Sequence, residues 1–317
     1  MALKVGVGSV CQVGIQTTFG TSVVPDTLVN MTSESITLGI ERGDEGNLIA
    51  SKTPNQRDML AITVDGGISM ILRPETADWL FKAALGAGSV ATGEYTLIAP
   101  NADLPVSTVV MSRGGIVKTY PDVSIRSMTL SAAAQDYVKV DLDVVGIKEI
   151  NAGGTGAQTV QSLSFTLPSY RCTAATLKYG AAGSTPVTAL CVENCEISVD
   201  NGLEDTPSTY CDGFYAGRPA VGQRSVTVNF QIPYSDALDT FRTMYYSAEN
   251  APALSMELKF TTSNADEYIT VEIPHLMLTG GENPVSGGGY IDCTFTGEAL
   301  SVGSDEPLTI TVVHDET

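Results

Sequence analysis

The run Ser225-Val226-Thr227-Val228-Asn229-Phe230-Gln231-Ile232 decides the fold class. Apolar side chains take every even position and polar ones every odd position, the period of two that a strand imposes by turning successive side chains to opposite faces. One face must pack on a core while the other meets water, as in antiparallel sheets. Pro233 ends the run, because proline cannot continue a central ladder. Two further stretches repeat the pattern. In Tyr137 to Val144 the apolar set opposes Lys139, Asp141 and Asp143, and in Ile291 to Thr296 Asp292 and Thr294 fall on the polar phase.

Working outward, the deciding run has a counterpart in the first half of the chain. Ser35-Ile36-Thr37-Leu38 leads into a long polar loop, then Ile68-Ser69-Met70-Ile71-Leu72, ending at Pro74. In the second half Glu196-Ile197-Ser198-Val199 leads into a polar loop and then the run quoted above. The order returns after roughly 160 residues, a spacing of domain size. This predicts a mainly β protein with two tandem sandwich- or barrel-like units, each with a short flanking helix. The first unit spans 1–150 and begins with an extended N-terminal arm over 1–30. A Gly-rich linker occupies 151–160, and the second unit spans 161–317. Pro74 and Gly86 are start and stop signals for a helix whose stripe Trp79, Leu80, Ala83 and Ala84 would cover the sheet. Phe241-Arg242 occupies the matching place in the second half.

Composition narrows the function. With Lys+Arg 17 against Asp+Glu 36, the formal net charge is -19. So acidic a chain repels phosphate, which disfavours a conventional nucleic-acid-binding role. No apolar window reaches the roughly 18 residues of a membrane span, and the first residues lack a secretory pattern. The expectation is synthesis in the cytosol and no membrane partner, with the six cysteines reduced. Cys191 and Cys195, four apart in what reads as a strand, would lie about 13 Å apart. That is too far for one disulfide or one tetrahedral zinc.

No catalytic constellation or cofactor site is legible. His275 and His314 sit in no nucleophile or metal motif. Gly287-Gly288-Gly289 precedes a strand rather than a helix and cannot cradle phosphate. The residues therefore predict neither enzyme nor cofactor. They leave open a structural assembly protein and a sugar-binding β-sandwich, the latter weakened by a single Trp and scattered Tyr residues.

An ordered set of segments then resembles the major tail tube proteins of long-tailed bacteriophages. It runs through Gly14-Ile15-Gln16-Thr17-Thr18-Phe19-Gly20-Thr21, Thr32 to Ile36, Gly66 to Glu75, Trp79 to Gly86, Tyr95-Thr96-Leu97, Gly114-Gly115, Val145 to Lys148, Ile273-Pro274 and Gly289 to Phe295. The resemblance implies a virion tail protein made in the host cytoplasm, whose units combine around a ring into an inner β-barrel and stack into a hollow tube. It implies self-association, with tape measure, tail terminator and distal tail proteins as partners, and DNA passing through without specific binding. Another tail-tip, hub or connector component is the related alternative. Most such proteins carry one unit per chain and form sixfold rings. Two units per chain imply a homotrimeric, pseudo-sixfold ring.

Two groups of candidate residues follow. Ser69, Lys139, Asp141, Asp143, Thr227, Asn229, Asp292 and Thr294, on the polar phase of alternating strands, are expected to face the lumen. The long loops at about 41–60 and 201–224 are expected to reach the neighbouring ring. They carry Glu41, Arg42, Asp44, Glu45, Lys52, Arg57 and Asp58 in the first, and Glu204, Asp205, Arg218 and Arg224 in the second.

Overall fold

A computed structural model describes residues 8–44, 57–89, 93–97, 102–204, 214–215, 217–233, 243, 254–282 and 292–314. The chain is mainly β. Its first half contains β1 (Val10–Ile15), β2 (Thr27–Val29), β3 (Met31–Glu34), β4 (Thr37–Asp44), β5 (Arg57–Ile71), helix α1 (Pro74–Leu85), β6 (Gly86–Ser89), β7 (Glu94–Leu97), β8 (Ser107–Arg113), β9 (Ile116–Ala133), β10 (Lys139–Gly146) and β11 (Ile150–Asn151). The second contains β12 (Arg171–Ala181), β13 (Thr188–Leu190), β14 (Asn194–Asp200), β15 (Leu203–Glu204), β16 (Ala220–Val221), β17 (Ser225–Pro233), β18 (Leu254–Thr261), β19 (Tyr268–Glu282), β20 (Asp292–Ala299) and β21 (Thr309–Val313).

One antiparallel sheet runs through both halves. Its order is β3 and β4 along one edge, then β5, β10, β9, β14, β17, β20 and β19. The join between halves is β9 with β14, paired without a register shift from Asn194 opposite Ala133 to Asp200 opposite Ser127. The apolar phase of every central strand is buried. Met128 and Leu130 on β9, Ile197 and Val199 on β14, and Val228 and Phe230 on β17 are each at most 2% exposed. Phe230 stacks on Phe295 of β20 at 5.5 Å between ring centroids. Each such side chain stabilises the fold by about 1.5–3 kcal/mol relative to exposure.

A second layer covers that apolar face. Over the first half it is β2, β1, β8 and the N-terminal part of β9, and over the second it is β13, β12, β18, the N-terminal part of β19 and β21, extended by β7 and β6 from the first half. Thus β9 and β19 each serve both layers, as corner strands do in sandwiches. The corner in β9 is Asp122, a non-glycine residue at φ 58. Asp122 Oδ1 accepts the Gly20 N–H at 2.6 Å, and its own N–H donates to Gln16 Oε1 at 3.2 Å. The Gly14–Thr21 stretch therefore holds the bend. The β8–β9 hairpin turns on Gly114 and Gly115, at φ 57 and 85, the positive values that a two-residue primed turn requires.

The helix forms where its start and stop signals predict, with Pro74 in its first turn and the Gly86 N–H capping on Lys82 O. Trp79, Leu80, Ala83 and Ala84 are buried, and Trp79 Nε1 donates to Ser107 Oγ at 3.1 Å. Phe241-Arg242 lies outside the described residues.

Three expectations change. The N-terminal segment from residue 8 is not an arm: β1 sits between β2 and β8, with Cys11 and Val13 buried. Alternation misses it because Gln12 is buried too. Its amide donates to Gln161 O at 2.8 Å and accepts the Gln161 N–H at 2.7 Å, so a polar side chain substitutes for a ladder partner. The described ends of the first polar loop are strand, since β4 and β5 pair from Thr37 opposite Asp65 out to Asp44 opposite Arg57. The Gly-rich stretch after β10 is docked: Ile150 and Asn151 pair with Thr119 and Lys118, and Gly156 O accepts from Ser22 Oγ at 2.5 Å.

Candidate functional site

Directly opposed residues in an antiparallel ladder share a face, so the register reads out a surface. One row crosses the sheet as Ser69, Asp141, Thr129, Ser198, Thr227 and Glu298. The next runs Lys139, Ser131, Glu196, Asn229 and Thr296. A third contains Asn194, Gln231, Thr294 and Glu282. All belong to one polar face spanning both halves, opposite the buried core face. Hydroxyl and amide contacts knit the rows: Thr129 Oγ1 to Ser198 Oγ at 3.1 Å across the join, and Asn194 Nδ2 to Gln231 Oε1 at 2.7 Å. Ser69 Oγ donates to Asp141 Oδ1.

The expected residues Ser69, Lys139, Asp141, Asp143, Thr227, Asn229 and Thr294 all fall on this face. Asp292 shares its phase at the start of β20, opposite Pro233. Sequence reading missed Thr129, Ser131, Glu196, Ser198 and Glu298. The signal was present: Ser127-Met128-Thr129-Leu130-Ser131-Ala132 alternates as cleanly as the runs that were read.

The face is acidic. Asp65, Asp141, Asp143, Glu196, Asp200 and Glu298 lie on it, and its two described cations on β9 and β10 are already paired. Arg126 bridges Asp143 at 3.2 Å and Asp65 at 3.4 Å, and Lys139 holds Asp136 at 2.5 Å. The Lys139 hydrogen bond draws the Asp136 carboxyl below its usual range, and the same contact raises Lys139. Such a surface carries negative potential with no uncommitted cation on those strands to grip phosphate.

The loop candidates divide. Glu41, Arg42 and Asp58 are exposed on the β4–β5 hairpin. Asp44 and Arg57 close its described part, and Glu45, Lys52 and Asp205 lie outside the described residues. Glu204 is exposed on the short β15–β16 ladder. Arg218 is tied to its own first half. Its Nη1 meets Asp103 Oδ2 at 2.9 Å, it donates to Leu104 O, and its guanidinium lies over Phe19 at 5.7 Å. Arg224 is half-buried, and burial lowers its pKa.

Elsewhere the chemistry is quiet. Burial pushes Cys11 and Cys195 up to about 12 and Cys172 up to about 11, so these thiols stay protonated. Cys191 is exposed and lies before β14 rather than in one strand with Cys195. His275 Nε2 meets Asp305 at 2.9 Å, and His314 Nε2 meets Asp78 at 2.6 Å. Both imidazoles pin loops or termini to the body. No described helix is long and apolar enough to cross a membrane.

A two-layer β body with one acidic, continuous sheet face is the setting for the comparison with known families. The family model described as phage tail tube protein matches residues 6–299. The chain belongs to the phage tail tube protein family. That match covers nearly all of both halves, including every strand of the shared sheet. Membership makes the chain a structural component of a phage tail, from a family that builds tubes rather than one of enzymes. No curated protein matches the chain.

Proposed function

We propose that three copies of this chain close into a ring, that rings stack into the tail tube, and that the acidic sheet face lines the channel through which the genome passes. The observation that carries this reading is the shared sheet. Each half contributes four strands in the same order, β3/β4–β5–β10–β9 in the first and β14–β17–β20–β19 in the second. The chain reads accordingly as two tube units, over 1–150 and 161–317, fused through 151–160.

Eight strands per chain and three chains give about 24 strands; at about 4.8 Å spacing and roughly 40° tilt the barrel is about 48 Å across its backbone. Side chains reduce the bore to about 38 Å, which admits a DNA duplex with water around it. Ring closure also removes the two exposed sheet edges of the free subunit. Acids on the wall repel phosphate, so DNA slides without a specific site. Tape measure, terminator and distal tail proteins are the expected tail partners, and no catalytic role or cofactor enters. Cryo-electron microscopy of tubes grown from the purified 33.3 kDa chain tests the stoichiometry. Three chains per ring with threefold symmetry are expected, and six chains per ring would overturn the proposal.

A further inference from the structure

We propose that the seam inside the chain is the template for the seam between chains, and that it fixes the register of the latter: residues 277–282 of β19 pair antiparallel with residues 33–37 of a second copy, Gly280 opposite Ser35. This rests on the ring reading above and adds the identity and alignment of the two joining edges.

The β9–β10 hairpin closes on Ser131 opposite Lys139, and the β19–β20 hairpin closes on Glu282 opposite Thr294. Lys139 then faces Ile71 and Thr294 faces Gln231, which makes β5 and β17 equivalent with a common buried phase at Met70 and Phe230. One strand further, Ser33 opposite Ser69 corresponds to Glu196 opposite Asn229. The internal seam joins Glu196 to Ser131, Ser198 to Thr129 and Asp200 to Ser127. Carried through these equivalences, it places Glu282 opposite Ser33, Gly280 opposite Ser35 and Met277 opposite Thr37. Among the described residues, neither edge has another strand partner there.

A second observation selects the same alignment. The Ser35 N–H donates inward to Gly67 O at 2.9 Å, so the backbone groups of Ile36 face the open edge. They are already taken: Ile36 N–H donates to Glu34 Oε2 at 3.1 Å, and its carbonyl accepts from Arg113 Nη2 at 2.8 Å. Glu34 and Arg113 are themselves paired, at 2.5 Å. Ile36 thus offers an incoming strand no free backbone group. The ladder of β19 with β20 is irregular at one place, between Leu278 and Gly280, where Thr279 is the extra residue. In the proposed register that bulge falls between the partners of Ser35 and Ile36. The irregular point of one edge meets the blocked point of the other.

The internal seam has no such feature over its seven pairs. Bulges and occupied backbone groups protect free edges from indiscriminate pairing. The geometry therefore separates a seam that forms with folding from one that forms only against its matched partner.

Disulfide trapping in assembled tubes tests the register. In a background with Cys191 and Cys211 replaced by Ser, Ser35→Cys and Gly280→Cys are combined; a Cβ at Gly280 meets only ordinary contacts with Thr296. Mild oxidation is expected to link most chains into covalent dimers and trimers. Ser33→Cys with Gly280→Cys, two residues out of register, is expected to link several-fold less. Ser33→Cys with Glu282→Cys is a second in-register pair should the glycine variant not assemble. Tubes in which the out-of-register pair links as well as or better than both in-register pairs would overturn the alignment. If the background protein forms no tubes at all, the tube reading falls, and the seam with it.

Discussion

The stretch between the edge strand and the long strand is handled differently in the two halves. In the first, β4 and β5 run on past the sheet as a hairpin, paired to Asp44 and Arg57. It leaves Leu38 and Ile40 on one face, and Leu60 at its bulge, exposed by 36, 42 and 55%. In the second, β14 stops at Asp200, β17 starts at Ser225, and several of the described residues between them are held against the body. Asn201 is fully buried, its Nδ2 donating at 3.0 Å to both Ala84 O at the end of α1 and Ile125 O of β9. Arg218 reaches Asp103 and Phe19 of the first half. The two even touch, since the Ile62 N–H donates to Phe214 O at 2.8 Å. The comparison assigns them different work. The first is a hairpin arm whose exposed apolar surface, we propose, meets the neighbouring ring, and the described part of the second is a brace that holds the arm's base and ties the halves together.

The largest effect should come from the arm. Replacing residues 43–57 by a short Gly-Ser turn is expected to leave a folded subunit with an unchanged far-ultraviolet spectrum that no longer polymerises. Tubes of normal length and salt resistance from that variant would show that the arm is not an inter-ring lock. The brace should respond in the opposite way. Asn201→Ala strands two buried carbonyls and is expected to cost about 1–3 kcal/mol in denaturant unfolding, with tube morphology unchanged. A variant as stable as the parent would remove Asn201 from the account. Arg218→Ala breaks an ion pair whose Asp103 is well exposed, so the loss should be about 0–1 kcal/mol and should shrink further in salt. A large loss, or a failure to assemble, would give the second segment an inter-ring role after all.

Much of this was legible beforehand. Alternation in Val226–Ile232 and in Val138–Val144 gave both strand and facing correctly, because half-wet strands carry their orientation in the sequence. Proline and glycine bounded α1 for equally local reasons. The failures share one cause, which is that tertiary partners changed what a polar residue means. Gln12 reads as solvent-facing, yet it is buried because Gln161 supplies its hydrogen bonds. The stretch at about 41–60 reads as loop because charge interrupts the pattern, yet Leu38 and Ile40 pair in phase with Val64 and Ile62 at its base. Asp122 at positive φ carries no sequence signal, since its conformation is set by Gly20 and Gln16 from far along the chain. The join of β9 to β14 lies furthest from local rules. Nothing in either strand names the other, although Ser127–Ala132 does announce the face it shares.

In the proposed tube the shared polar face becomes the wall of a closed channel. Ser198→Cys, in a background with Cys191 and Cys211 replaced by Ser, places a thiol in the middle of that face. Its reactivity toward a small maleimide and toward a maleimide on a polymer too large to enter the bore should be compared before and after assembly. Both reagents are expected to modify free subunits, and in intact tubes only the small one is expected to do so. Equal modification of intact tubes by the large reagent would place this face on the outside and contradict the account.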